Sequence, residues 1–191
     1  MTLSIEIADV SDVGYSEEIS GWYLKSSLER GIGIAVRKPE YLRKKILKRH
    51  AIIAKYGTKA VGFCYIESFE KKQYVSNSGL IVQQAFRGKG LSKKIKSAAF
   101  THARDIFPDA KIFGITTSEI VMKLNSALGY IPVPLIKLTC DEDFWAGCSS
   151  CRNYDILIRN NKQMCLCTGM LFQPERDPIL QNNNLTNAKS K

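Results

Sequence analysis

No stretch of this sequence approaches the run of about 18 apolar residues that a membrane-spanning helix needs, so no span is expected. The opening residues, Met1-Thr2-Leu3-Ser4-Ile5-Glu6, lack the basic start and apolar core of a secretory signal, which makes a cytoplasmic location the expectation. Acidic residues are in the minority, 18 against 28 Lys and Arg, for a net charge of +10. Much of the excess sits in two clusters, 43–49 and 87–96. Either is explained by a solvated helix face, or by attraction of a polyanionic ligand. No aromatic residues interleave with the second cluster to stack bases, which argues against nucleic acid as the partner. Histidine is scarce: His102 falls on a helix and reads as structural, and His50 has no evident partner. The sequence also lacks a Gly-Lys-Ser/Thr loop ending and a dinucleotide-type glycine spacing, which excludes two common phosphate-binding turns.

The 191 residues, 45% of them hydrophobic, suit one packed domain with a small appendage. The stretch that organises it is 78–92. Leu80, Ile81 and Val82 form a short apolar run suited to a buried strand, and Arg87-Gly88-Lys89-Gly90 then turns the chain. Apolar residues follow at Leu91, Ile95, Ala98, Ala99, Ala103 and Ile106, which is helical spacing. Two glycines just before a helix let main-chain N–H groups converge where the helix already presents unpaired donors and partial positive charge. Arg87, Lys89, Lys93 and Lys94 strengthen that field, and the simplest ligand is a phosphate or pyrophosphate. The plain alternative is a strand-to-helix connection on a basic surface.

The segment from Val82 through Phe86-Arg87-Gly88-Lys89-Gly90-Leu91 resembles the coenzyme A-binding segment of the GCN5-related N-acetyltransferases, the GNAT superfamily. That signature is Arg or Gln, two residues, Gly, one residue, then Gly or Ala. Arg87, Gly90 and Ser92 hold those places, with Ser92 the departure. The resemblance runs from about Ile5 to Leu138. It implies an α/β fold with a mixed, mostly antiparallel sheet, helices on both faces and a splayed central strand. It also implies acetyl-CoA as cosubstrate, with Leu80, Ile81 and Val82 along the pantetheine arm and Arg87, Gly88, Lys89, Gly90, Leu91 and Ser92 around the pyrophosphate. The implied reaction is acetyl transfer to an amine, on a small molecule or a protein, by a monomer or homodimer. A non-catalytic acyl-CoA-binding module is the alternative.

The order of elements agrees. Leu3 to Ala8 reads as a strand, 9–14 as a loop, Ser16 to Arg30 as a helix stopped by Gly31-Ile32-Gly33, and Pro39 to Lys48 as a second helix. Strands 51–56 and 60–66 form a hairpin, 69–73 a charged turn, 74–82 the strand entering the glycine turn, and 110–116 the next strand. Thr116-Thr117-Ser118-Glu119 resembles a capping box before a helix to Leu128, and Gly129 suits its C′ position. Helix, Gly129 and Tyr130 resemble the second conserved GNAT segment, whose tyrosine often protonates the departing thiolate. Counting back from Gly129, Asn125 takes that place. Asn125 cannot serve as an acid but can donate a hydrogen bond to sulfur or pantetheine. Ser126, Tyr65 or water would otherwise assist. Glu67 and Glu119 are the candidate bases, and the Val82 amide is the candidate donor to the thioester oxygen. Trp22 and Tyr23 could touch the acceptor or simply pack.

Four of six cysteines crowd the C-terminal part: Cys148-x-x-Cys151 and Cys165-x-Cys167, with 13 residues between the pairs. Four thiolates can enclose a structural zinc ion; free thiols and a Cys148–Cys151 disulfide are the alternatives. Cys64 and Cys140 read as buried thiols. The sequence therefore divides into an acyltransferase domain (1–138), a cysteine-bearing extension packed on it (139–172) and a polar, flexible tail (173–191).

Overall fold

Three stretches of apolar residues in the middle of the chain pair into the centre of a sheet, and everything else is layered on it. The computed structural model describes residues 2–30 and 34–174. The expected helix stop at 31–33 and nearly all of the expected tail lie outside the described residues. The strands are β1 (Leu3–Ile7), β2 (Ala51–Tyr56), β3 (Lys59–Phe69), β4 (Tyr74–Val82), β5 (Lys111–Thr116), β6 (Ile131–Val133) and β7 (Thr168–Phe172). They form one sheet in the order β1-β2-β3-β4-β5-β7-β6. Only β4 and β5 run parallel; the other pairs are antiparallel.

Helices cover both faces. Strand side chains alternate, so Ile52, Cys64 and Ile66 join one buried cluster while Ile53, Phe63 and Tyr65 join another. On the first face lies α3 (Leu91–Ile106), whose Leu91, Ile95, Ala99 and Ala103 recur at helical spacing and are all buried. On the second lie α1 (Ser16–Arg30) and α2 (Pro39–Leu47), which bury Ile19, Leu42 and Ile46. Burying a side chain such as Ile95 contributes about 2 kcal/mol. The sequence between β1 and α1, expected as a loop, is a 3-10 turn (Val10–Tyr15) with Asp9 as its cap.

The C-terminal segment builds a third cluster. Trp145 on α5 (Glu142–Ala146) and Leu157 on α6 (Tyr154–Arg159) pack with Phe69, Phe113 and Leu171. Its last strand, β7, lies inside the sheet between β5 and β6. The segment is tied down at the β3–β4 connection, where Glu70 accepts from Thr139 Oγ1 and from the Cys140 N–H, each at 2.6 Å. Cys140 is exposed rather than buried, because this anchoring uses its backbone and leaves its side chain to solvent. Cys64 is buried, as expected. None of the described helices is long and apolar enough to cross a membrane.

Candidate active site

β4 and β5 pair only through Tyr74–Lys111, Val75–Ile112 and Ser76–Phe113. Beyond Ser76 the two strands part, and the wedge between them opens into a cleft of about 940 Å³. One wall is β4 from Ser76 to Val82 with the turn at Arg87–Lys93; the opposite wall is β5, α4 (Glu119–Ser126) and the loop after α5.

Main-chain geometry on the β4 side follows from register. Gln83 N–H bonds to Val61 O on β3 at 2.9 Å. Alternate residues, Val82 and Leu80, therefore turn their N–H and C=O groups to the open edge. Between the pairs Phe63–Ile81 and Tyr65–Ser78, β4 carries one more residue than β3, a bulge at Gly79 and Leu80. Gly79 takes φ of +68°, and a Cβ there would collide with the Tyr65 ring. The Tyr23 hydroxyl donates to the Gly79 carbonyl and pins the bulge. Tyr23 is thus a positioning residue on the cleft wall, whereas Trp22 packs against the second core cluster.

The turn opens its main chain to the cleft. Gly88 and Gly90 have φ of +75° and +73°, and the space where each Cβ would sit is open. The first bond that returns to the turn from α3 is Lys94 N–H to Gly90 O at 3.3 Å, which leaves the amides of Leu91, Ser92 and Lys93 free of intrahelical partners. Arg87 is exposed and donates from Nε to Val82 O at 3.0 Å, folding the turn back on the strand end. Lys89 Nζ sits 5.6 Å from the centre of the Phe86 ring.

At the depth of the wedge lies a set of buried polar groups that the sequence reading missed in part. Asn125, 1% exposed on α4, lines the cleft with an Oδ1 that has no partner. Asn77, 2% exposed, has an unpartnered Nδ2, while its Oδ1 accepts from Cys64 Sγ at 3.1 Å. Lys96 also lines the cleft; it belongs to a cluster read either as a solvated face or as attraction for a polyanion, and it is 2% exposed. Its place in the row Ser92, Lys96, Ala99, Ala103, otherwise made of small residues on the packed side of α3, was the available signal.

The acceptor side carries a chain of hydrogen bonds. Arg37 Nε donates to Tyr65 OH at 2.7 Å, and Arg37 Nη1 donates to Gly147 O at 2.8 Å. The Tyr41 hydroxyl and Lys45 Nζ both donate to the Glu67 carboxylate. Lys45, in the other basic cluster, is buried on the same helix face as Leu42 and Ile46. Burial holds its ammonium below the ordinary lysine value even though Glu67 pulls the other way. Glu67 thus lines the cleft, but two donors already engage it.

The other candidates lie elsewhere. Glu119 is exposed and pairs with Lys123 at 2.6 Å. The cap of α4 is Ser118, which accepts from Val121 N–H, rather than Thr116, whose Oγ1 accepts from Ser118 N–H at 3.0 Å. Ser126 is exposed and does not line the cleft. His102 Nε2 bonds to Arg49 O at 2.7 Å, and His50 packs edge-on against Phe107.

Cys148, Cys151, Cys165 and Cys167 all line one small cavity of about 20 Å³, alongside Ile115 and Leu157. Burial pushes the Cys148 thiol up to about 11 and the Cys167 thiol up to about 12. Among the described residues no three His, Cys, Asp or Glu side chains are grouped to hold a metal ion. The expectation of zinc therefore gains no support: the four thiols line one cavity, but burial favours the protonated form of Cys148 and Cys167.

The wedge fits an acyl-CoA on three counts: an open strand edge, a glycine turn whose amides lack intrahelical partners, and unpartnered buried amide groups at its depth. The sequence profile of the acetyltransferase (GNAT) family matches residues 18–118. No curated protein matches the chain. Among solved structures, N-acetylglutamate synthase from Neisseria gonorrhoeae, complexed with coenzyme A and N-acetyl-glutamate, superposes with a TM-score of 0.64 at 16% identity, over 92% of this chain and 36% of that one. This chain thus spans about a third of the synthase's length. A putative acetyltransferase from Salmonella typhimurium with its cofactor acetyl-CoA gives 0.62 at 14% identity, over 93% and 96% of the two chains. A phosphinothricin acetyltransferase from Sinorhizobium meliloti in complex with acetyl-CoA gives 0.60 at 14% identity, over 91% and 89%. At these identities the likeness is one of fold.

Proposed function

Because the chain belongs to the acetyltransferase (GNAT) family, we propose that it transfers the acetyl group of acetyl-CoA to an amine. The observation that carries this reading is the wedge: β4 and β5 separate directly beside a glycine turn whose amides are free. Arg87 and the amides of Gly88 to Ser92 hold the pyrophosphate. Leu80, Ile81 and Val82 offer the strand edge along which the pantetheine arm lies. When bound, acetyl-CoA supplies an acetyl group already activated as a thioester.

The protein's own groups then do three things. The Leu80 N–H, turned to the open edge and nearer the vertex of the wedge than the Val82 N–H expected in this role, donates to the thioester oxygen as negative charge grows there, while the Val82 N–H meets the pantetheine arm. Asn125 holds the sulfur side by hydrogen bonding. Glu67, with lone pairs left after Tyr41 and Lys45 are served, orients the acceptor amine and takes its proton directly or through a water. Tyr23, Tyr41 and Tyr65 enclose the acceptor end and exclude bulk water.

Calorimetry with coenzyme A, followed by thiol release from acetyl-CoA across a panel of amines, tests the reading. Binding with turnover on one amine class supports it. Binding without turnover on any amine favours the non-catalytic module, which the presence of Asn125 in place of an acid would explain. An absence of binding overturns both.

A further inference from the structure

Lys96 is a buried cation without a counter-ion. Among the described residues no carboxylate lies within ion-pair distance of its Nζ. Among the described residues its one hydrogen bond goes to Asn77 O at 2.8 Å, which leaves two of the three donors of the ammonium without a partner there. Burying an ammonium that way costs several kcal/mol unless something else engages it. A structural role would not explain the place, because the same volume filled by an apolar side chain would pack on α3 at lower cost.

The place itself is specific. Asn77 is the first residue of β4 past the last β4–β5 pair, so Lys96 reaches the vertex of the wedge. From Val82 to Asn77 is five residues of strand, roughly 16 Å at about 3.3 Å each. That is about the reach of an extended pantetheine arm anchored at the turn. The other groups at the vertex, Asn125 Oδ1 and Asn77 Nδ2, are neutral. The titratable neighbours are the Cys64 thiol on β3 and, against the Asn77 side chain, the Tyr130 hydroxyl. Burial pushes the Cys64 thiol up to about 11 and Tyr130 well above its ordinary value, so both stay protonated and neither can donate usefully or neutralise Lys96.

We propose that Lys96 is the catalytic acid of this enzyme, giving a proton from Nζ to the departing coenzyme A sulfur. The proposal rests on the acyl-CoA reading above. As the acceptor nitrogen bonds to the acetyl carbon, the carbon–sulfur bond breaks and its electron pair stays on sulfur. Lys96 supplies the proton that makes the free thiol and is left as a neutral amine. The proton lost by the acceptor nitrogen passes to Glu67, directly or through a water, and from there to solvent, while Lys96 regains one from solvent. Burial, which lowers the affinity of Lys96 for its proton, brings the donor closer in strength to a thiol and makes the transfer easier. The step restores, from α3, the acid that Asn125 on α4 cannot be.

The test reads the thiol rather than turnover. Coenzyme A bound to the protein is titrated with base while the ultraviolet absorbance of its thiolate is followed. In the wild type the nearby ammonium should lower the thiol pKa by about one unit or more relative to free coenzyme A. Lys96→Met should return it to or above the free value, and Lys96→Arg should keep it low. Lys96→Gln makes the same comparison if the methionine variant does not fold. Acetyl transfer by Lys96→Met should fall by about 10²-fold or more, with coenzyme A affinity changed only a few-fold. A bound thiol that titrates alike in wild type and Lys96→Met overturns the role of Lys96 and leaves the acyl-CoA reading standing. A wild-type protein that takes up no coenzyme A overturns that reading, and the role of Lys96 with it.

Discussion

Arg87 turns back on the strand it follows: its Nε donates to the carbonyl oxygen of Val82 at 3.0 Å. The same contact closes the glycine turn and keeps the Val82 carbonyl occupied. Arg87→Ala should weaken coenzyme A binding about tenfold, about 1.4 kcal/mol, while thermal stability changes little because the side chain is exposed. Calorimetry at low and high salt checks it, since the wild type should lose more affinity with salt than the variant does. Equal affinities would remove Arg87 from the site.

Asn125 is buried with an oxygen that nothing among the described residues satisfies. Asn125→Leu should therefore leave the melting temperature unchanged or raised, because an orphaned polar atom is removed. Coenzyme A affinity should drop about three- to tenfold, in line with one lost hydrogen bond. A variant that loses stability and keeps affinity would place Asn125 in the scaffold alone.

The bulge at Gly79 tolerates no side chain. Gly79→Ala adds a Cβ against the Tyr65 ring at a φ of +68°, and should cost more than about 2 kcal/mol in chemical denaturation. The hydroxyl of Tyr23, which donates to the Gly79 carbonyl, would lose its partner as the bulge shifts. Tyr23→Phe is the milder probe, expected to cost about 1 kcal/mol and to slow acetyl transfer more than it weakens coenzyme A binding.

Cys64 predicts a pH dependence. Burial raises its thiol from 9.0 to about 11 in the folded protein. Below about pH 9 folded and unfolded chains both keep the proton, and the group adds no slope. Between about pH 9 and 11 the unfolded chain loses its proton first, so stability falls as pH rises, by roughly 2–3 kcal/mol in all. In Cys64→Ala this share of the alkaline loss should be missing, on top of a pH-independent cost for the smaller side chain. Denaturant melts of both proteins at about pH 8 and about pH 11 check it. A constant difference between the two proteins would show that the thiol titrates alike in both states.

Much of the frame was legible in the chain. The strand, glycine turn and helix at 80–106 were readable because their signals are local: an apolar run, two glycines and a row of apolar residues at helical spacing. The same holds for Pro39 at the start of α2 and Gly129 after α4, where one residue's backbone preference sets the boundary. The cap of α4 was less readable, since Thr116, Thr117 and Ser118 are all competent and packing selected Ser118. The burial of Lys45 and Lys96 was not legible for one reason: a lysine in a basic cluster fits a solvated face or a ligand-facing one until the sheet beneath its helix is placed.

What the sequence determined by itself was the order of elements through α4 and the glycine turn before α3, because both depend on neighbours within a few positions. Tertiary structure alone decided that β7 enters the sheet between β5 and β6 and that four distant thiols share one cavity. It also decided that a lysine on α3 meets an asparagine on β4 where two strands diverge. Those contacts join residues far apart in the chain, and side-chain burial, which arises only when the layers close, chooses among them.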